Sequence, residues 1–119
     1  MEALRYVILR HEGIDDPHFD IMLEESPGSE LKTWRSDRWP ITEPTPLKKL
    51  PNHRREYLTY EGPISDERGH VRRVEAGTYR SRPQMFDPYV IDLWLSEPVT
   101  WHLWLLCPPE HEWTLEPAK

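Results

Sequence analysis

The sequence predicts an all-β domain, a small antiparallel β-barrel with Pro-rich connecting loops and little helix. Three observations predict it. Thirteen prolines stand against five glycines in 119 residues, and proline is excluded from helix interiors and from the ladders of central strands, so long helices are disfavoured. Short runs of alternating, β-branched or aromatic residues recur along the chain, each bounded by Pro, Gly, Asp or Ser. Six Trp against two Phe supply the bulky rings that fill a small β core. Closure into a barrel is expected because it removes the edges such apolar strands would expose. At this length a single domain, residues 1–119, is expected around one core.

Taken in order, residues 5–10 and 18–24 read as strands joined through the Gly13 to Pro17 turn segment, which makes a hairpin whose loop begins just after His11. Residues 25–30 are a turn, and Leu31 to Arg35 is a third short strand. Residues 36–52 are rich in proline and read as an ordered crossing loop, with at most one helical turn near Leu47 to Leu50. From His53 two conformations are open. An extended run puts His53, Arg55 and Tyr57 on one side; a single helical turn is favoured by Arg54, Arg55 and Glu56. Val71 to Tyr79 reads as two short strands around Ala76-Gly77, and residues 80–88 as a polar loop. Tyr89 to Leu95 and Val99 to Cys107 form a second hairpin across Ser96-Glu97-Pro98. The acidic, Pro-containing tail, residues 108–119, is expected at the periphery, with Trp113 able to fold back.

A net charge of −6 gives no general attraction to a phosphate backbone, so any nucleic-acid contact has to rest on a local basic patch. Cys107 is the single cysteine, which allows no internal disulfide and reads as core. The first apolar stretch is too short for a signal sequence and no run approaches a membrane span. A soluble cytoplasmic protein, with no membrane partner and monomeric, is the expectation.

The chemistry concentrates in His11 and in His18-Phe-Asp-Ile-Met-Leu-Glu24. On a strand, His18, Asp20 and Met22 leave one face while Phe19, Ile21 and Leu23 leave the other. The second face is core, and the first is either solvent or a site. Two imidazoles and a carboxylate suit Mn²⁺ or Zn²⁺ with positions left open for water or a substrate oxygen. The alternative is three polar residues on a solvated face.

The order of His11, His18-Phe-Asp-Ile-Met-Leu-Glu24, Lys32-Thr-Trp34, Asn52-His53, Glu56-Tyr-Leu58 and Glu61-Gly62 resembles the 3′-phosphoesterase domain of bacterial DNA ligase D, over about residues 5–106. The resemblance implies a phosphoesterase β-barrel with a divalent metal, usually manganese with zinc possible, that removes a 3′-phosphate or 3′-ribonucleotide from DNA ends in repair. It implies His11, His18 and Asp20 as metal ligands, His53 at the scissile phosphate assisting proton transfer, and Tyr57 beside it. Arg38 aligns with a family lysine. Met22 and Thr45 stand where the family has arginines, and a thioether cannot replace a guanidinium fork. Arg54 and Arg55, or Arg72 and Arg73 on a rewritten loop, are the candidates to restore phosphate-binding charge. The implied partners are a DNA 3′ end or a small phosphate ester, and a separate ligase or polymerase. The other reading is a catalytically impaired metal- or nucleic-acid-binding module.

Glu24, Glu61 and Asp92 are candidate acceptors for the outer nitrogens of metal-bound imidazoles. His70 and His111 read as solvated, His102 as a hydrogen-bonded strand histidine. Trp34 and Trp39, beside Arg35 and Arg38, read as packing ahead of nucleic-acid contact.

Overall fold

Nine antiparallel strands and one 3₁₀ turn make up the described structure. It is a computed structural model that describes residues 4–39, 41–43, 45–64 and 68–79, together with the backbone of 91–95, 101–106 and 113–117. The strands are β1 (Leu4–Glu12), β2 (His18–Glu24), β3 (Leu31–Ser36), β4 (Thr45–His53), β5 (Gly62–Pro63), β6 (His70–Tyr79), β7 (Ile91–Leu95), β8 (Trp101–Leu106) and β9 (Trp113–Pro117), with a 3₁₀ turn at Arg55–Leu58. They form one sheet in the order β5-β6-β1-β2-β3-β4-β9-β8-β7. The all-β class is as expected, but the closed barrel is not. The sheet curls until β6 meets β7, yet no ladder joins them among the described residues. On its outer edge β6 pairs instead with the two residues of β5, and Pro63 has no N–H to extend that ladder. None of the described helices is long and apolar enough to cross a membrane.

The β1–β2 hairpin is the centre of the molecule. Its register sets Leu9 opposite Asp20, His11 opposite His18 and Ile8 opposite Ile21. Tyr6, Val7, Ile8 and Leu9 are all buried, so this part of the sheet is covered on both faces. One face packs Tyr6, Ile8, Ile21, Leu23, Trp34, Ile41, Leu47 and Tyr79 together, with Trp39 against them. The other packs Val7, Leu9, Met22, Leu31, Leu58 and Val71. The face that carries His18 and Asp20 is therefore interior, and Met22, 1% exposed, is part of its apolar floor.

Three segments differ from the sequence reading. Residues 45–52, expected as part of a loop with at most one helical turn, belong to strand β4, because both prolines in it fall where the β3 ladder makes no demand. Pro46 lies beyond the β3-paired stretch, and Pro51 lies within the register shift between Leu31↔His53 and Thr33↔Leu50. The two short strands expected over 71–79 are one strand. Its irregularity comes at Val74, skipped between Ile8↔Glu75 and Leu9↔Arg73, and not at Ala76-Gly77. The tail expected at the periphery contributes β9, which pairs with β4 and with β8. The second hairpin is present as β7 and β8. Residues 80–88, the turn Ser96-Glu97-Pro98, Cys107 and His111 lie outside the described residues.

A candidate metal centre at the end of the first hairpin

The cross-strand pair His11↔His18 sits at the open end of β1 and β2, and facing residues of an antiparallel pair project together. Their rings meet edge to face with centroids 5.0 Å apart. Asp20, one step along the same face, places Oδ1 3.1 Å from His18 Nε2 and Oδ2 3.9 Å from His11 Nδ1. One donor atom from each of the three residues lies within 4.8 Å of the others. His18 and Asp20 are buried and His11 is half-buried.

The outer nitrogens fix what the inner ones can do. His18 Nδ1 is 2.9 Å from the Asp16 carbonyl oxygen, and His11 Nε2 is 2.7 Å from that of Arg68. A carbonyl only accepts, so each of these nitrogens carries the proton and donates it. A neutral His18 then turns its Nε2 lone pair, and a neutral His11 its Nδ1 lone pair, toward Asp20. Asp20 Oδ1 is buried and accepts no hydrogen bond, and the 3.1 Å approach of Nε2 relieves that only if His18 is protonated. A buried, unpaired carboxylate oxygen costs about 1–3 kcal/mol or more. A cation among the three groups removes that cost. Ligand atoms about 2.1 Å from one ion lie roughly 3–3.5 Å apart, and the His18–Asp20 separation already meets that spacing. These three residues can hold a metal ion, with both imidazoles oriented from behind as metal-bound histidines usually are.

The acceptors behind the imidazoles are backbone carbonyls, where the sequence suggested carboxylates. Glu24 receives the Arg5 N–H at 3.0 Å and the Gly28 N–H at 3.4 Å and is ion-paired with Arg55. Burial on its own raises the Glu24 carboxyl, but Arg55 and the two backbone donors outweigh it and hold the group below the usual carboxylate range. The Tyr79 hydroxyl donates to the Glu24 carbonyl, and its own pKa is pushed up by burial first and by Glu24 and Glu25 second. Glu61 accepts the Arg73 N–H at 3.0 Å. The side chain of Asp92 lies outside the described residues.

Arg68 is the residue the sequence reading missed. It reaches the site because two loops touch. Gly13 and Gly69 have φ of +77° and +79°, and a Cβ on Gly69 would run into the Glu12 carbonyl. Only glycine accepts both the dihedral and the contact, and the Arg68 carbonyl is thereby set against His11. The legible signal was Gly69 itself, the one glycine between Ser65 and Arg72.

The centre opens into a cavity of about 160 Å³ lined by His11, Asp20, Met22, His53, Tyr57, Ile64, Arg68 and Val71. His53 ends β4, and the 3₁₀ turn after it buries Leu58 as its anchor while leaving Tyr57 beside the cavity. The helical-turn alternative for this segment is the one observed. His53 Nδ1 donates to the Pro51 carbonyl at 3.0 Å, so its Nε2 is the nitrogen left for chemistry. The His53 and Tyr57 rings meet edge to face, with centroids 5.8 Å apart. Of the five residues expected to form the reaction centre, His11, Asp20, His53 and Tyr57 line this cavity, and His18 stands behind it against Asp20.

The expected phosphate-binding cations are placed unevenly. Arg54 is exposed and lines an adjoining groove. Arg55 is engaged by Glu24 and by the Ser29 carbonyl, and Arg38 by Glu43 at 2.6 Å; neither lines the cavity. Arg72 faces Glu12 at 3.7 Å and Arg73 faces Glu61 at 3.8 Å. Thr45 is buried, with its hydroxyl donating to the Glu43 carbonyl. His70 is exposed, and Trp34 is core, as expected. Set beside known proteins, the chain matches no family model and no curated protein.

Proposed function

We propose that the protein is a metal-dependent phosphoesterase that removes a 3′-phosphate or 3′-ribonucleotide from DNA ends, in the manner of the end-processing domain of ligase D. One observation carries the reading. A buried carboxylate with an unsatisfied oxygen, faced by the inward lone pairs of His11 and His18, shares a cavity with a third imidazole, His53. His11, His18 and Asp20 would hold manganese, or zinc, which would supply a Lewis acid for a phosphoryl oxygen. His53, oriented by Pro51, exchanges a proton with the ester oxygen through Nε2. Tyr57 packs against the His53 ring and limits its rotation. Arg68 offers positive charge from the cavity wall, on the loop where the family motif is rewritten. Met22 keeps the floor dry, which strengthens each polar contact above it. A small phosphate ester is the alternative substrate, and a separate ligase or polymerase would use a processed DNA end.

The second reading is a metal- or nucleic-acid-binding module without turnover. It is favoured by Met22 in the core and by the engagement of Arg55 and Arg38 with carboxylates, which leaves the family's phosphate grip unreplaced at those positions. The deciding experiment is Mn²⁺-dependent release of a 3′-phosphate or 3′-ribonucleotide from a primer-template, with His18→Ala and Asp20→Ala as controls. Release that both substitutions abolish supports the enzyme. Metal binding without release leaves the module, and absence of metal binding sinks both.

A further inference from the structure

The inner cavity adjoins an outer groove of about 470 Å³, and His53, Tyr57, Ile64 and Arg68 line both. The groove differs in chemistry from the cavity. Its walls add Asn52, Arg54, Tyr60 and Glu56. Tyr60 is 38% exposed, the one large hydrophobic side chain so exposed among the described residues. It is held in that position, because its hydroxyl donates to the Pro63 carbonyl while its ring meets Tyr57 edge to face at 6.1 Å. Three rings, His53, Tyr57 and Tyr60, therefore run outward from the metal centre in sequence. Arg54 has no ion-pair partner among the described residues, whereas Arg35, Arg38, Arg55, Arg72 and Arg73 each face a carboxylate. Glu56 is the single acid among the described residues of the wall, and it forms no ion pair with Arg54.

A pinned, exposed ring beside the guanidinium of Arg54, which faces no carboxylate in an ion pair among the described residues, suits a ligand that is both flat and anionic, which is the description of a nucleotide. We infer that the groove is a stacking subsite for the unpaired base next to the terminal phosphate, so that the protein takes single-stranded 3′ ends in preference to paired ones. Inside a duplex a base has both faces covered by its neighbours, and Tyr60 reaches only a base that has left the stack. This deepens the phosphoesterase reading and rests on it for the placement of the terminal phosphate.

The test uses a short single-stranded oligonucleotide with a 3′-phosphate and the fluorescent adenine analogue 2-aminopurine as its 3′-terminal base, beside the same strand annealed to a complement. Binding to the whole chain, followed by fluorescence, is expected to quench the free strand and to be about 10-fold or more tighter than for the duplex. Tyr60→Leu is expected to remove the quenching and weaken single-strand binding by about 10-fold, and Tyr60→Phe to keep both, since the ring and not the hydroxyl makes the stack. Arg54→Gln weakens both strands alike. Duplex binding as tight as single-strand binding, or quenching that survives Tyr60→Leu, overturns the subsite. Phosphate release by the unmodified protein in Mn²⁺ is read separately. Release with Tyr60-independent quenching removes the subsite and keeps the enzyme, whereas Tyr60-dependent quenching without release keeps the subsite and removes the enzyme.

Discussion

Asp20 and Glu24 leave the same face of β2, and both are 3% exposed, yet the protein treats the two carboxylates in opposite ways. Around Glu24 it assembles two backbone N–H groups and a guanidinium, and the carboxyl is held below its ordinary range. Around Asp20 it assembles two imidazoles whose donor hydrogens are turned away, and one carboxylate oxygen accepts nothing. A chain that can satisfy one buried carboxylate fully has the means to satisfy another. The contrast separates a structural acid, complete within the protein, from one left with an oxygen that a cation could take.

The largest expected effect breaks the contrast at its centre. Asp20→Ala and His18→Ala should each weaken Mn²⁺ binding by more than 100-fold in titration calorimetry, beyond the roughly 10–100-fold that loss of an outer-sphere partner costs. Full-strength binding by either variant would mean that the cation sits elsewhere. The floor comes next: Met22→Ala should cost about 3 kcal/mol in urea unfolding, and Met22→Leu less than about 1.5 kcal/mol, because the position is apolar packing here and not a phosphate grip.

Glu24→Gln should cost about 2 kcal/mol at neutral pH, whereas Asp20→Asn should leave the metal-free protein equally stable or raise its melting temperature. Equal losses in the two variants would erase the distinction between the carboxylates. The pH dependence has a definite sign. The folded-state pKa of Glu24 lies below its ordinary value, so the stability it contributes is complete above about pH 4.3 and is lost as pH falls through the lower folded-state value. Urea midpoints measured from pH 7 downward should therefore fall less steeply on the acid limb for Glu24→Gln than for the unmodified chain. The smallest effect tests the support of His18. Arg35 is ion-paired with the Asp16 carboxylate, and the Asp16 carbonyl accepts from His18. Arg35→Ala should lower metal affinity a few-fold, with a stability change within about 1 kcal/mol.

Much of this was legible because strand alternation is a local signal. The bounds of β2, the separation of Asp20 from Ile21 and the grouping of His11 with His18 all follow from period-two side-chain geometry and a turn of Gly, Asp and Pro. What was not legible depends on partners distant in sequence. Pro46 and Pro51 read as loop until the register shows that neither occupies a paired position of the β3 ladder. Trp113 to Pro117 reads as tail until β4 and β8 flank it. The sequence also cannot show that Arg55 is consumed by Glu24, or that a carbonyl at Arg68 orients His11, since every residue has a carbonyl and only its placement distinguishes one.

That carbonyl also sets a timetable for assembly. His18 draws its support from two residues away and His11 from 57 residues away. The inner pair of ligands, His18 and Asp20, is complete once the first hairpin has closed, a contact of microseconds. The third ligand is aimed only after β6 has docked and the Gly13 and Gly69 loops have met, with the closure entropy of a long intervening chain already spent. The three-residue metal group is therefore a property of the finished sheet, and the appearance of its full metal affinity during refolding would be a clock for the arrival of β6.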